Sequence, residues 1–72
     1  YRGFVKEAVR RAVLEWKAFD PARVIEMARA AGIPEDDIPG AVAYTGREFA
    51  GLHEGNCIRY RLRPEDLQGL VR

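Results

Sequence analysis

The chain has 72 residues, of which 47% are hydrophobic and 32% are charged, and its formal net charge is +1. This composition argues against disorder and predicts one domain, which at this length buries only about 60% of the surface of its unfolded form. The sequence lacks the apolar run of about 18 residues that could cross a bilayer, so we expect no membrane partner. It begins with Tyr1 rather than Met, which is compatible with a piece of a longer protein or a trimmed chain.

The charges are distributed unevenly along the chain. Residues 1–19 carry five basic and two acidic side chains, a net charge of +3, and residues 20–38 carry two basic and five acidic ones, a net charge of −3. Residues 39–72 have five basic and four acidic side chains, a net charge of +1. A nucleic-acid-binding domain usually shows a basic stripe or a high isoelectric point. This chain has basic stripes, but it lacks an overall excess of positive charge.

The first predicted element is an amphipathic helix from Gly3 to about Ala18. Its apolar residues recur at intervals of three and four, which places them on one helix face, and they are Val5, Val9, Ala12 and Trp16. A neighbouring face is basic and comprises Arg2, Lys6, Arg10 and Lys17. We favour an ordinary solvated surface for this basic face over a stripe that contacts phosphates.

A second helix is predicted from Pro21 to about Ala31. Asp20 is a preferred residue for capping the start of a helix, and proline is preferred at the first helical position. Gly32 supplies the stop, because glycine accepts the left-handed conformation that closes a helix.

The third element is the hardest to predict. The acidic residues 35–37 suit the positive end of a helix, but Pro39 and Gly40 break or reset the pattern. Glycines at positions 46 and 51 then weaken a long helix. We therefore predict a helix from Pro39 to about Thr45, followed by a strand from about Phe49 to His53.

Within residues 57–63, apolar and charged side chains alternate from Ile58 onward, which is typical of a strand with one buried and one exposed face. The inward side chains would be Ile58, Tyr60 and Leu62, and the outward ones Arg59, Arg61 and Arg63. Residues 54–56 are rich in turn formers and predict a β-hairpin. Pro64 would end the strand and begin a short helical turn, after which Leu67, Leu70 and Val71 would cap the core.

This order of elements resembles a winged helix-turn-helix domain, in which residues 28–34 correspond to the end of the second helix and the turn. The resemblance implies an α+β fold, with three helices, a β-hairpin and a short C-terminal helical turn in one domain, residues 1–72. It also implies a third helix in the major groove of DNA and a hairpin wing against the backbone or minor groove. One departure is the acidic segment 35–37, which phosphates would repel.

Two functions follow from these patterns. The first is binding of nucleic acid, with double-stranded DNA expected over RNA, because planar guanidinium groups match phosphate oxygens. The predicted contact residues are Arg59, Arg61 and Arg63 of the wing, Arg47, Tyr44 and Thr45 of the third helix, and Lys6 and Arg10 of the first. The alternative is a protein-interaction or homodimerisation module that uses the first helix, the acidic segment 35–37 or the hairpin edge.

Catalysis is not expected, because the one histidine, His53, has no neighbouring serine or cysteine in a known nucleophile motif. Cys57 follows His53 by four positions, but a zinc site needs three or four ligands, and only Glu54 is a nearby third candidate. We therefore expect no metal, no cofactor and no small-molecule substrate. A single cysteine cannot form an internal disulfide, which predicts a reducing compartment, the cytoplasm.

Overall fold

The computed structural model describes residues 1–71, which are mostly helical. The α-helices are α1 (Arg2–Arg11), α2 (Pro21–Ala30) and α3 (Ile38–Ala50), and α1 continues as a π-helical stretch, Ala12–Trp16. The described residues also contain three 3₁₀ helices, at Glu35–Asp37, Glu54–Tyr60 and Pro64–Leu67. Strands are absent from the described residues, where the one β-type contact is an isolated parallel bridge between Ala18 and Val71.

The first two helices form where the sequence predicts them. The π-helical end of α1 is closed by Lys17, whose backbone is left-handed with φ of 58°. α2 begins at Asp20, whose side chain accepts a hydrogen bond from the backbone N–H of Ala22 at 3.1 Å. It ends before Gly32, where φ is +80°. Both predicted helices are confirmed, with ends that differ from the prediction by at most two residues.

The predicted end of the third helix is wrong, because α3 continues through Gly46 to Ala50. Gly46 allows a close approach to α3: a Cβ atom built there would lie 3.1 Å from Cζ of Phe19, a tight contact. This close approach lets the Phe19 ring pack beside α3, where it also meets the ring of Phe49 at 6.2 Å between centroids. The predicted strand 49–53 is therefore absent, and Phe49 belongs to the last turn of α3.

The predicted hairpin is also wrong, since residues Glu54–Tyr60 form a 3₁₀ helix. The side chain of Asn56 accepts a hydrogen bond from the backbone N–H of His53 at 2.9 Å and stabilises its start. Cys57 and Tyr60 share one face because residues three apart eclipse in a 3₁₀ helix, and both are buried. Ile58, predicted to point inward, is 90% exposed.

These corrections overturn the predicted α+β, winged-helix-like fold. The described residues form an all-helical structure in which the segment expected to be a wing is a 3₁₀ helix. That helix ends at Tyr60, and the left-handed backbone of Arg61, with φ of 57°, redirects the chain before the buried Leu62. The three arginines of the supposed strand therefore do not project as a ladder from one face.

The C-terminal turn is confirmed as the 3₁₀ helix Pro64–Leu67. Leu67 and Leu70 pack against the core as predicted, whereas Val71 is exposed. The backbone N–H of Val71 instead donates to the carbonyl of Lys17 at 3.0 Å. The end of the described chain thus lies beside the turn that closes the π-helical stretch.

The core has two clusters of buried side chains, and Phe4 packs against both. The larger cluster joins α1 and its π-helical stretch to α3 and to residues 52–62; its buried members are Val5, Val9, Ala12, Val13, Phe49, Leu52, Cys57, Tyr60 and Leu62. The smaller cluster joins α2 to the start of α3 through Ala28, Ile33 and Ile38. Each helix within residues 1–71 is too short or too polar to span a membrane.

Candidate docking groove between α1 and α3

An open groove of about 900 Å³ runs between the start of α1, the outer face of α3 and the end of the 54–60 helix. Its volume is near the upper end of the range of about 300–1,000 Å³ that is usual for ligand sites. The lining residues are Tyr1, Arg2, Val5, Lys6, Asp36, Asp37, Gly40, Ala41, Tyr44, Glu48, Arg59 and Tyr60. They combine aromatic, apolar, basic and acidic side chains.

The first turns of α1 form a basic wall. Arg2, Val5 and Lys6 are three and four positions apart, so they lie on one side of the helix. Val5 is buried and belongs to the core, while Arg2 and Lys6 are exposed. We call Arg2 and Lys6 the basic wall of the groove.

The 35–37 helix, just before α3, contributes acidic side chains to the groove lining. Asp36 and Asp37 precede α3, where the positive end of the helix dipole favours negative charge. Asp37 accepts a hydrogen bond from the Tyr1 hydroxyl at 2.8 Å. This bond to the carboxylate raises the pKa of Tyr1 above its ordinary value. We call Asp36 and Asp37 the acidic wall.

α3 contributes a row of side chains that is open to the groove. Gly40, Tyr44 and Glu48 are spaced by four residues and therefore follow one helix face. Gly40 has no atom within 4 Å of a Cβ built on it, so this end of the groove is open space. Tyr44 is 49% exposed, and Tyr1 is 62% exposed. Two large aromatic side chains are thus available to a ligand.

The third side of the groove is the end of the 54–60 helix. The hydroxyl of Tyr60 donates a hydrogen bond to Oε1 of Glu48, and Nη1 of Arg59 lies 3.9 Å from the same oxygen. Burial of the Tyr60 side chain raises its pKa, and the bond to Glu48 adds to this effect. These contacts join the 3₁₀ helix to α3, and Arg59 lies at the groove edge.

The groove carries balanced charge, with Arg2, Lys6 and Arg59 against Asp36, Asp37 and Glu48. Glu48 is engaged by Tyr60 and Arg59, and Asp37 by Tyr1. Among residues 1–71, no ion pair joins the basic wall to the acidic wall. The two walls therefore face the groove without neutralising each other.

The structure brings three of the eight predicted contact residues into the groove, namely Lys6, Tyr44 and Arg59. Arg47 lies just outside it, with its guanidinium 5.6 Å from the centre of the Tyr44 ring. Arg61 and Arg63 are exposed outside the groove, and Arg63 forms an ion pair with Asp66 at 3.2 Å. The predicted cluster of wing arginines is thus dispersed.

Two of the predicted contact residues have structural contacts instead. Thr45 is fully buried, so its predicted position on the exposed side of the third helix is wrong. Its hydroxyl donates to the carbonyl of Ala41 at 2.8 Å, within α3. Arg10 is half-buried, and its Nη1 donates to the carbonyls of Tyr60 and Arg61 at 2.9 and 2.6 Å. It thereby holds the end of the 54–60 helix against α1.

Sequence reasoning missed Tyr1 and Glu48 as groove residues. The spacing of Tyr44 and Glu48, four apart on a helix, was a usable signal, but the prediction ended that helix at Thr45. Nothing in the local sequence places Tyr1 beside Asp37, since 36 positions separate them.

His53 and Cys57 take part in local structure. The His53 Nδ1 accepts a hydrogen bond from the backbone N–H of Gly55 at 3.1 Å. The thiol of Cys57 is buried and lies 3.7 Å from the carbonyl oxygen of His53, to which it donates. Within residues 1–71, no group of three or more His, Cys, Asp or Glu side chains is placed to hold a metal ion.

The groove is therefore the feature of this structure that most resembles a binding site. Comparison of the chain with protein-family models, with curated proteins and with solved structures found no match in any of the three.

Proposed function

We propose that the groove between α1 and α3 docks a polypeptide, so that the domain acts as a protein-interaction module. The observation that carries this proposal is the combination of exposed Tyr1 and Tyr44 with basic and acidic walls that do not pair with each other. Tyrosine is enriched in protein interfaces because its ring supplies apolar area and its hydroxyl finds a hydrogen-bond partner.

The balance of charge favours a polypeptide over a polyanion. Nucleic-acid backbones present negative charge alone and would meet Asp36 and Asp37 beside the basic wall. A polypeptide can present both signs, so that each wall meets an opposite charge, and such complementarity supports specificity and fast association. The proposal includes no catalytic step and no cofactor.

Selection of short peptides from a random display library would test the proposal. The blocking variant is Gly40→Trp, because the space around a Cβ at this position is open and the new ring would occupy the groove. Gly3→Trp is the matched control: its Cβ also meets nothing within 4 Å, and Gly3 does not line the groove. Both changes replace an exposed helical glycine, so we expect both variants to fold.

The expected result is a set of peptides that bind the unmodified chain and Gly3→Trp but not Gly40→Trp. Such peptides should carry basic and acidic residues, and their binding should weaken as salt screens the two walls. Peptides that bind all three chains equally would use another surface and would contradict the proposal. A selection that yields no binder would contradict it as well.

Nucleic-acid binding is a second candidate, supported by one observation. The hydrogen bonds from Arg10 hold the end of the 54–60 helix against α1. Arg59 lines the groove together with Lys6, and the exposed Arg61 follows at the end of the same helix. These cations would form a phosphate-binding patch that extends beyond the groove.

Fluorescence anisotropy of a labelled mixed-sequence duplex at low and moderate salt tests this candidate. If phosphates are bound, Lys6→Ala and Arg61→Ala should each weaken affinity. Each should also make the slope of log binding constant against log salt concentration shallower, by about one unit for each phosphate that is no longer bound. Arg23→Ala is the control, since Arg23 lies on α2 and pairs with Asp20. Absence of binding at low salt would remove nucleic acid as the ligand.

We further propose that the domain works in the cytoplasm. The support is Cys57, a free and buried thiol that is the one cysteine of the sequence. Reduced cysteines are usual in compartments that keep thiols reduced.

A further inference from the structure

We infer that the groove binds a short extended peptide segment that presents a basic, an apolar and an acidic side chain at alternate positions. This inference rests on the proposed function, because it names the class of polypeptide that the same groove would hold. The basic side chain lies near Asp36 and Asp37, and the apolar one lies on Tyr44. The acidic side chain lies near Lys6 and Arg59.

The helices α1 and α3 follow the groove in the same direction. Where both begin, the hydroxyl of Tyr1 donates to Asp37 at 2.8 Å. Farther along, Arg10 of α1 donates to the carbonyl of Tyr60 at 2.9 Å, and the Tyr60 hydroxyl donates to Glu48 of α3. We call the region of the Tyr1–Asp37 contact the near end of the groove and the region of the Tyr60 contacts the far end.

The two ends of the groove carry opposite charge. The near end has the two carboxylates of the acidic wall and one guanidinium, that of Arg2 in the first turn of α1. The far end has Arg59 and Glu48, and Lys6 lies one turn beyond Arg2 in that direction. Glu48 already accepts a hydrogen bond from Tyr60, so the cations are the groups left for a ligand at the far end. A peptide with a basic residue at the near end and an acidic residue at the far end therefore complements the groove.

The row of α3 residues along the groove has the spacing of an extended peptide. Gly40, Tyr44 and Glu48 are four positions apart, and each step of four along a helix advances about 6 Å. Every second residue of an extended chain points to the same side, and such residues are about 6.4–6.8 Å apart. Three alternate side chains of a peptide therefore match the open space at Gly40, the Tyr44 ring and the far end.

The size of the groove favours an extended chain over a helix. A helix is about 10–12 Å in diameter, so a stretch as long as the row from Gly40 to Glu48, about 12 Å, occupies about 940–1,360 Å³. The groove holds about 900 Å³. A helix of so few residues is also marginal in water. Five extended residues cover the same distance without the cost of starting a helix.

The Tyr44 ring supplies the apolar contact in the middle of the groove. It is 49% exposed, and the guanidinium of Arg47 lies 5.6 Å from its centre. This cation–π contact favours one position of the ring before a peptide arrives. A side chain that is already ordered loses less conformational freedom on binding.

The experiment is isothermal titration calorimetry with groove-dependent peptides from the display selection, arranged as charge-swap cycles. Asp36→Lys changes the near end, and Lys6→Glu changes the far end. Neither side chain has a hydrogen bond or ion pair among the described residues, so both variants should keep the helical circular dichroism of the parent. Glu26→Lys is the control, since it changes the net charge as much as Asp36→Lys but lies on α2, outside the groove.

The selected peptides should share a basic, an apolar and an acidic residue at alternate positions, in either chain direction. Asp36→Lys should weaken binding at least about tenfold, because it places like charges together, and a peptide whose basic residue is replaced by Glu should restore it. Lys6→Glu should weaken binding similarly, and a peptide whose acidic residue is replaced by Lys should restore it. The crossed combinations should not restore binding, and Glu26→Lys should bind as the parent does.

Two results would overturn the inference and leave the proposed function standing. Rescue by the crossed peptides, or by no peptide, would mean that the charges do not lie at the assigned ends. Groove-dependent peptides whose shared residues are three and four positions apart would bind as a helix. If the selection yields no groove-dependent peptide, the proposed function fails, and this inference fails with it.

Discussion

The N-terminal and C-terminal parts of the chain pack into the same core, but their secondary structure differs. α1 follows the apolar periodicity of its sequence, and α2 follows local signals at both ends, the Asp20 cap and Gly32 with φ of +80°. Residues 54–67, in contrast, contain only 3₁₀ helices, which have weaker hydrogen-bond geometry and are rarely long. Yet Cys57 and Tyr60 are as deeply buried as residues of α1.

This difference shows where the conformation of the C-terminal segment comes from. Its side chains make contacts with residues far away in the sequence: Tyr60 with Glu48, and the carbonyls of Tyr60 and Arg61 with Arg10. These contacts, together with burial of Cys57 and Leu62, select the 3₁₀ conformation over the strand that alternation alone favours. The N-terminal helices are locally encoded, whereas the C-terminal turns depend on tertiary contacts.

The strongest test of this comparison is a pair of substitutions two positions apart. Tyr60→Ala should lower the free energy of unfolding by about 3–5 kcal/mol, the range for truncating a buried aromatic side chain. That is a large share of the roughly 4–11 kcal/mol typical of a chain of this length. Ile58→Ala should change it by less than about 0.5 kcal/mol, because Ile58 is 90% exposed. Urea denaturation followed by circular dichroism measures both.

If the segment around Ile58 were a strand, the expected result for Ile58→Ala would be reversed. In the hairpin predicted from the sequence, Ile58 points inward, and Ile58→Ala would cost about 2 kcal/mol or more. If Tyr60→Ala proves too unstable to purify, Tyr60→Phe keeps the ring and removes only the hydroxyl that bonds Glu48. A negligible cost for both Tyr60 variants would mean that the segment is only loosely attached to the core.

The second test compares Arg10 with its neighbour Arg11. Arg10→Ala removes two charged hydrogen bonds to the carbonyls of Tyr60 and Arg61, and we expect a loss of about 1.5–3 kcal/mol. Arg11→Ala removes a surface ion pair with Glu7, worth about 0.3–0.5 kcal/mol. Both changes remove one positive charge from the same helix. Equal losses in urea denaturation would show that Arg10 does not anchor the C-terminal segment.

The same contrast explains how much of the fold could be predicted. The sequence predicts α2 from its own start and stop residues and α1 from its apolar periodicity, and both predictions are nearly correct because capping and periodicity are local properties. Gly46 was misjudged as a helix breaker, since the sequence gives no sign that Phe19 packs against it. The alternation in residues 57–63 was misinterpreted because a 3₁₀ helix followed by the left-handed Arg61 also buries Tyr60 and Leu62.

The candidate site was less accessible to sequence reasoning than the fold. Lys6, Tyr44 and Arg59 were predicted as contact residues, but they were assigned to different elements of a nucleic-acid surface. Their meeting in one groove depends on the packing of α1 against α3 and on the 54–60 helix. The sequence marks the acidic segment 35–37 as unfavourable for phosphate and as a candidate docking element, and in the structure Asp36 and Asp37 line the same groove as Lys6.

A third test addresses the start of α2, which is set by a local capping residue. Asp20→Ala removes the side chain that accepts the Ala22 N–H, and loss of such a cap costs about 1 kcal/mol. Asp20→Asn keeps an acceptor at the same position and should cost clearly less. If the two variants are equally destabilised, the charge of Asp20 and its ion pair with Arg23 matter more than the cap.

The smallest expected effect concerns Asp66, which caps the last described turn. Its carboxylate accepts a hydrogen bond from the backbone N–H of Arg63 at 2.9 Å, and this bond lowers the pKa of Asp66 below its ordinary value of 3.8. Because the folded state favours the ionised form, the stabilisation is complete above that ordinary value and is lost as pH falls through the lowered one. The gap in free energy of unfolding between the parent chain and Asp66→Asn should therefore be constant near neutral pH and close in acid.

Glu65→Gln is the control for this prediction, because it removes the same charge from the neighbouring residue. No hydrogen bond of the Glu65 side chain is present among the described residues, so this change alters the net charge without altering the turn. Urea denaturation at a series of pH values from neutral to strongly acidic measures all three chains. A gap for Asp66→Asn that persists unchanged in acid would show that shape, rather than the charge of the carboxylate, holds the last turn.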